Sequence, residues 1–229
     1  MAYDERTVAP GIEVWHNTGV TGAQRILPDG CLDLLFDGER LLVAGPDTTA
    51  RMHTNERPVP MRGVRLHAGR GPGLLGVPAD ELHDRTLPLD AVWGDRRARW
   101  LTERVAASPR RVLAAWARSG VPDRFGAYVR TLLDRGLSVA DVAEATGYSA
   151  RQLHRRTLPV FGYGPQHLAR VLRLGRALRE ADAGRPWSEV AQRAGYADQS
   201  HLARDVRALA GVTPTGLRHE RVRSVQDAG

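Results

Sequence analysis

Two stretches of this 229-residue chain repeat one another, and the repeat restricts the fold more than any other feature. The first reads VADVAEATGYSARQLHRRTLPVFGYGP from Val139 to Pro165. The second reads WSEVAQRAGYADQSHLARDVRALAGVTP from Trp187 to Pro214. Val142-Ala143 matches Val190-Ala191 and Gly147-Tyr148 matches Gly195-Tyr196. After a one-residue insertion, Leu153 and Arg155 match Leu202 and Arg204, and Gly162 and Pro165 match Gly211 and Pro214. Each copy has the grammar of two helices joined by a tight turn. Small Ala143 and Ala191 allow close helix approach, Gly147 and Gly195 take the positive φ that ends a helix, and Tyr148 and Tyr196 anchor the turn.

The second helix of each copy has its own start signal. Ser149 stands three residues before Gln152, a capping box, and Asp198 is the equivalent cap in the second copy. Leu153 and Leu202 then face inward. The remaining positions carry the donors and acceptors that read base edges: Arg pairs with guanine O6 and N7, Gln with adenine N6 and N7. Arg151, Gln152, His154 and Arg155 are the candidates on the first helix, and Gln199, Ser200, His201 and Arg204 on the second. Pro159 should kink or shorten the first helix after Leu158, because proline removes a backbone donor.

Between the copies, Leu168, Val171, Leu172, Leu174, Ala177 and Leu178 recur at helical spacing from Pro165 to about Ala183, and Gly184 and Pro186 end the run. A helix of about nineteen residues is a rod of about 28 Å. It can hold two reading helices about one DNA turn apart, near 34 Å.

Charge follows the same division. All 33 basic residues are arginine. Residues 1–94 hold 9 of them against 13 acids, and residues 95–229 hold 24 against 13, so a net −4 faces a net +11 within the overall +7. Such asymmetry points to a nucleic-acid-binding part joined to a part with another task. A single cysteine, Cys31, excludes an internal disulfide and a four-thiolate zinc site. No apolar run reaches membrane-spanning length and the first residues carry acids, so a cytoplasmic bacterial protein at the nucleoid, without membrane contact, is expected.

Before Gly94 the chain reads as short strands at 12–16, 24–27, 32–36, 40–44 and 64–68, with Asp37-Gly38 as a hairpin signal and turns at 28–30 and 69–73. Asp95 and Ser108-Pro109 are the expected starts of two helices, the second carrying Val112, Leu113 and Trp116 and stopping at Gly120. His16, His53, His67 and His83 lack the spacing of a metal set, so no metal and no cofactor is expected. Asp29 and Asp33 beside Cys31 disfavour a thiolate. Trp15, Trp93 and Trp100 belong either to core or to an apolar pocket.

The tandem arrangement, above all GYADQSHLARDVRALAGVTPTGLR, resembles the DNA-binding domain of the AraC/XylS transcription regulators over about residues 122–221. Thr157 stands where that family usually has a buried Phe, and Arg156 where an apolar residue is common. RILPDGCLDLLF, VAGPDT and LGVPADELHDRTLPLDAVWG are similar to an uncharacterised amino-terminal domain that precedes such DNA-binding domains in actinobacterial regulators. The resemblance implies double-stranded DNA read in two adjacent major grooves, RNA polymerase as a further partner, and a small-molecule effector sensed through a cupin-like β domain. Monomer and homodimer both stay open.

The expected architecture is therefore α+β. An antiparallel β domain spans 1–94 with an effector-binding or regulatory role, a helical linker or dimerisation segment spans 95–120, a DNA-binding domain with two helix-turn-helix motifs spans 121–221, and a disordered tail spans 222–229. A regulator without enzymatic activity is the expected function. Its rivals are an architectural DNA binder and a DNA-modifying enzyme using Cys31.

Overall fold

Apolar residues at every second position turn the front of the chain into a sheet with one covered face. The structure, a computed structural model, describes residues 3–19, 22–55, 58–121 and 123–226. Strands β1 (Tyr3–Ala9), β2 (Ile12–Asn17), β4 (Leu32–Phe36), β5 (Leu41–Ala44), β7 (Met61–Leu66) and β8 (Thr86–Pro88) form a six-stranded antiparallel sheet in the order β1-β2-β7-β4-β5-β8. Strands β3 (Gly22–Ile26) and β6 (Arg51–Asn55) form a separate two-stranded ribbon. The register sets Val14, Val64, Leu34 and Val43 side by side across four strands, all buried.

That face is covered by two helices, α3 (Asp95–Ala107) and α4 (Pro109–Arg118), whose Leu101, Val105, Leu113 and Ala117 belong to the same core. Of the roles open to this segment, linker, dimer contact or plain intramolecular packing, the structure shows packing within the front unit, while Trp100 is left exposed. The opposite face is polar at its centre: Trp15 donates to Asp33, Arg65 pairs with Asp29 and Asp33, and His67 pairs with Glu13. Trp15 lies flat over Gly63, where a Cβ would come within 2.6 Å of the indole.

Several local expectations need correction. The 69–73 turn is instead the entry to a short helix, α1 (Gly71–Leu75), followed by a 3-10 turn at Ala79–Glu81 and helix α2 (Leu89–Trp93). Asp95 is the first residue of α3 and does not cap it; Gly94 stands at the cap, at φ 76°. Ser108 does precede Pro109 at the cap but makes no side-chain cap bond. The Asp37-Gly38 hairpin closes through a four-residue loop, with Phe36 opposite Leu41 and the Asp37 carboxylate accepting from the Glu39 and Arg40 amides.

The remainder is helical: α5 (Arg124–Asp134), α6 (Val139–Thr146), α7 (Ala150–Phe161), α8 (Pro165–Asp182), α9 (Trp187–Ala194), α10 (Gln199–Ala210) and α11 (Pro214–Gln226). It holds two cores. One gathers α5 to α7 with the first half of α8, and the other gathers the second half of α8 with α9 to α11. The front unit enters both, with Ala68 in the first and Leu27 against the second. Residues 222–226 continue α11 rather than starting a disordered tail; 227–229 lie outside the described residues. The chain is therefore an antiparallel sheet domain followed by a helical domain. No helix among the described residues is long and apolar enough to cross a membrane.

Replacing Gly63 by Ala is expected to destabilise the front unit by about 1–3 kcal/mol through overpacking against Trp15. Urea unfolding followed by tryptophan fluorescence measures it.

Candidate nucleic-acid interface

Local capping builds both helix pairs. Ser138 and Asp141 form a reciprocal capping box at the start of α6, and Gly147 ends it at φ 68°. Ser149 and Gln152 form the next box at the start of α7. In the second pair Gly195 ends α9 at φ 84°, and the Asp198 carboxylate accepts from the His201 amide at 2.6 Å. Leu153 and Leu202 are fully buried, as are Val142, Val190 and Ala191, with Ala143 nearly so. Tyr148 meets Phe125 edge to face, and Tyr196 is buried, its hydroxyl pushed well above the ordinary phenol range by desolvation and by Asp205.

Helix α8, at 18 residues, is a rod of about 27 Å that carries one pair at each end. Arg176, midway along it, donates to the carbonyls of Leu133 and Asp134 at the end of α5 and to Ala194 at the end of α9. Arg170 pairs with Asp205 of α10 at 2.7 Å.

The eight candidate reading residues separate into two groups. Arg151, Arg155, Gln199, Ser200 and Arg204 are exposed, and none of these arginines makes an ion pair or hydrogen bond among the described residues. Three others are engaged by local partners, although Gln152 and His154 remain exposed and His201 is half-buried. The Gln152 amide oxygen accepts from both the Ser149 amide and its hydroxyl at 2.9 Å, so the acceptor that a two-bond contact to adenine requires is already taken. His154 lies against Gly164, where a Cβ would approach its ring to 2.5 Å. His201 stacks edge-on against Tyr196, and its Nδ1 meets the Ala197 amide at 3.3 Å.

Arg207 was not among the expected readers. It is exposed and follows Ser200 and Arg204 at i, i+4, i+7 on one face of α10. That spacing alone could have found it. The corresponding place on α7 holds Leu158 and Pro159. Pro159 does not cut the helix short: α7 runs to Phe161 and is closed by Gly162 at φ 81°, since a missing donor in the last turn leaves only one carbonyl unpaired. Thr157 is fully buried, with its hydroxyl donating to the His154 carbonyl, and Arg156 stacks over Phe125 and Tyr148.

Residues 142–220 match the family described as a helix-turn-helix domain, and residues 12–88 match a domain of unknown function, DUF6597. The chain carries an AraC-type helix-turn-helix domain. No curated protein matches the chain. Among solved structures, it is similar to the carboxy-terminal domain of AraT, a response regulator from Geobacillus stearothermophilus, at 23% identity over 42% of this chain and 85% of that one, with a TM-score of 0.40. ToxT from Vibrio cholerae O395 is similar at 10% identity over 93% of this chain and 98% of that one, with a TM-score of 0.48.

Around the AraC-type domain, the crevice between the front unit and α7, lined by Leu32, Pro46, Leu66, Ala68, Val160 and Phe161, has room for about one water. Cys31 is half-buried, and desolvation together with Asp29 pushes its thiol well above the ordinary range. No group of three or more His, Cys, Asp or Glu among the described residues is placed to hold a metal ion.

Asp198→Ala is expected to cost about 1 kcal/mol by freeing the His201 amide in the first turn of α10, and Asp198→Asn clearly less. Thermal unfolding of the two variants side by side checks the difference.

Proposed function

We propose that this protein is a DNA-binding transcription regulator that reads two successive major grooves with the amino-terminal turns of α7 and α10. The observation that carries this reading is the pair of capped, exposed helix faces held at the two ends of α8, with Arg151 and Arg155 on one and Gln199, Ser200, Arg204 and Arg207 on the other. The helical domain itself, residues 119–229, holds 17 Arg against 11 acids, and this net +6 supplies the phosphate attraction that such a reader needs. The reading involves no catalysis. A Cys31 thiol kept protonated by burial and by Asp29 is a poor nucleophile. The front domain is assigned the regulatory role, with RNA polymerase and a small-molecule effector kept as expectations from the family resemblance.

Sequencing of genomic fragments bound by the purified protein tests the reading. The expected result is an asymmetric site of two half-elements about ten base pairs apart. Gln199→Ala and Arg204→Ala should each relax the preference at one base position, at a cost of about 1–3 kcal/mol. Binding that ignores base sequence would instead describe an architectural protein.

A further inference from the structure

The amino-terminal turns of the two reading helices point outward, and their carboxy-terminal ends are both held by the front domain. At the end of α10, Arg25 of β3 donates through Nη1 to the Ala210 carbonyl at 2.9 Å, while its Nε and Nη2 pair with the Glu220 carboxylate of α11 at 2.9 and 3.3 Å. A guanidinium on the last carbonyls of a helix also meets the negative end of its dipole. The Ala50 amide donates to the Leu209 carbonyl, one residue earlier, at 2.7 Å. At the end of α7, Gly162 lies so close to the front domain that a Cβ there would come within 2.7 Å of Pro46 and 3.1 Å of the Ala79 carbonyl.

One five-residue loop therefore reaches both helices: Pro46 abuts the end of α7 and Ala50 bonds the end of α10. The loop is itself clasped. The Asp84 carboxylate accepts from the Thr48 amide and hydroxyl, both at 2.6 Å, the Asp84 amide donates to the Pro46 carbonyl, and Arg51 pairs with Asp47. Inside the helical domain the two motifs are joined along α8, through Arg176 to the ends of α5 and α9 and through Arg170 to Asp205. A second strut closes the triangle.

We propose that the loop 46–50 and Arg25 are positioning elements that set the spacing and phase of the two half-elements the protein accepts. This rests on the two-groove reading above. One base pair displaces a half-element by about 3.4 Å and rotates it by about 35°, so a strut that fixes both helix ends converts directly into spacing selectivity. The front domain thereby takes part in DNA recognition without touching DNA.

The test uses the full chain and duplexes in which the spacer between the two half-elements is changed one base pair at a time, together with each half-element alone. The unsubstituted protein should favour one spacing over its neighbours by about tenfold, a difference of about 1.4 kcal/mol. Arg25→Lys, which keeps the charge but loses the fork that spans Glu220 and Ala210, and Asp84→Asn, which loosens the clasp but tolerates the φ of 55° at that position, should each flatten the profile to within about threefold while leaving half-element affinity within about twofold. Profiles that stay sharp in both variants overturn the proposal. So do variants that lose spaced and single-element affinity in equal proportion, because that pattern marks a general loss of folding. An unsubstituted protein that recognises half-elements at every spacing alike overturns it as well and leaves the reading intact, whereas one that ignores base sequence overturns the reading itself.

Discussion

The helical part depends on what Arg176 does in the middle of α8. Helices α5 and α9 both end against this helix and present last-turn carbonyls to it, of which Leu133's also accepts from the Gly136 amide. A guanidinium has donors enough to reach Leu133, Asp134 and Ala194 together, and its charge suits two helix ends of negative polarity. Burial pushes its pKa down, a sign of how far it has left water, and Asp134 offsets part of that cost. A lysine could not serve in its place, since a single ammonium lacks the planar fork that spans the carbonyls. The two motifs are therefore joined by a polar hub as well as by a helix.

The parts of this arrangement that were legible in the sequence are those governed by near neighbours. Ser149 with Gln152, Asp198 before α10, and the glycines at 147, 195 and 211 act within four residues, so their chemistry is visible in the string itself. Inward-facing Leu153 and Leu202 follow from helical period. Other features depend on partners far along the chain. Arg25 and Glu220 are 195 positions apart, and nothing in GAQRI announces the pairing. The same holds for α3 and α4, whose apolar stripes say that they pack but not against what, and for β1, β6 and β8, which lack the alternating pattern.

Gln152 shows a different kind of limit. Its spacing from Ser149 predicts a cap, and its position on the helix predicts a reader, and both inferences are sound when taken alone. They compete for one amide oxygen, and the cap has it. His201 is drawn in a similar way into contact with Tyr196 and the Ala197 amide, whereas His154 touches Gly164 and stays exposed. Counting polar residues on a helix therefore overstates its reading surface wherever a local partner lies within reach.

The loss of Gln152 to its cap, with Leu158 and Pro159 opposite Arg207, leaves the two halves of the repeat unlike in what they present. Two identical copies related by a dyad would present the same groups in either direction. On the two-groove reading proposed above, the divergence of the two copies gives the molecule a heading on the double helix. On that reading a single chain distinguishes upstream from downstream without a symmetric partner.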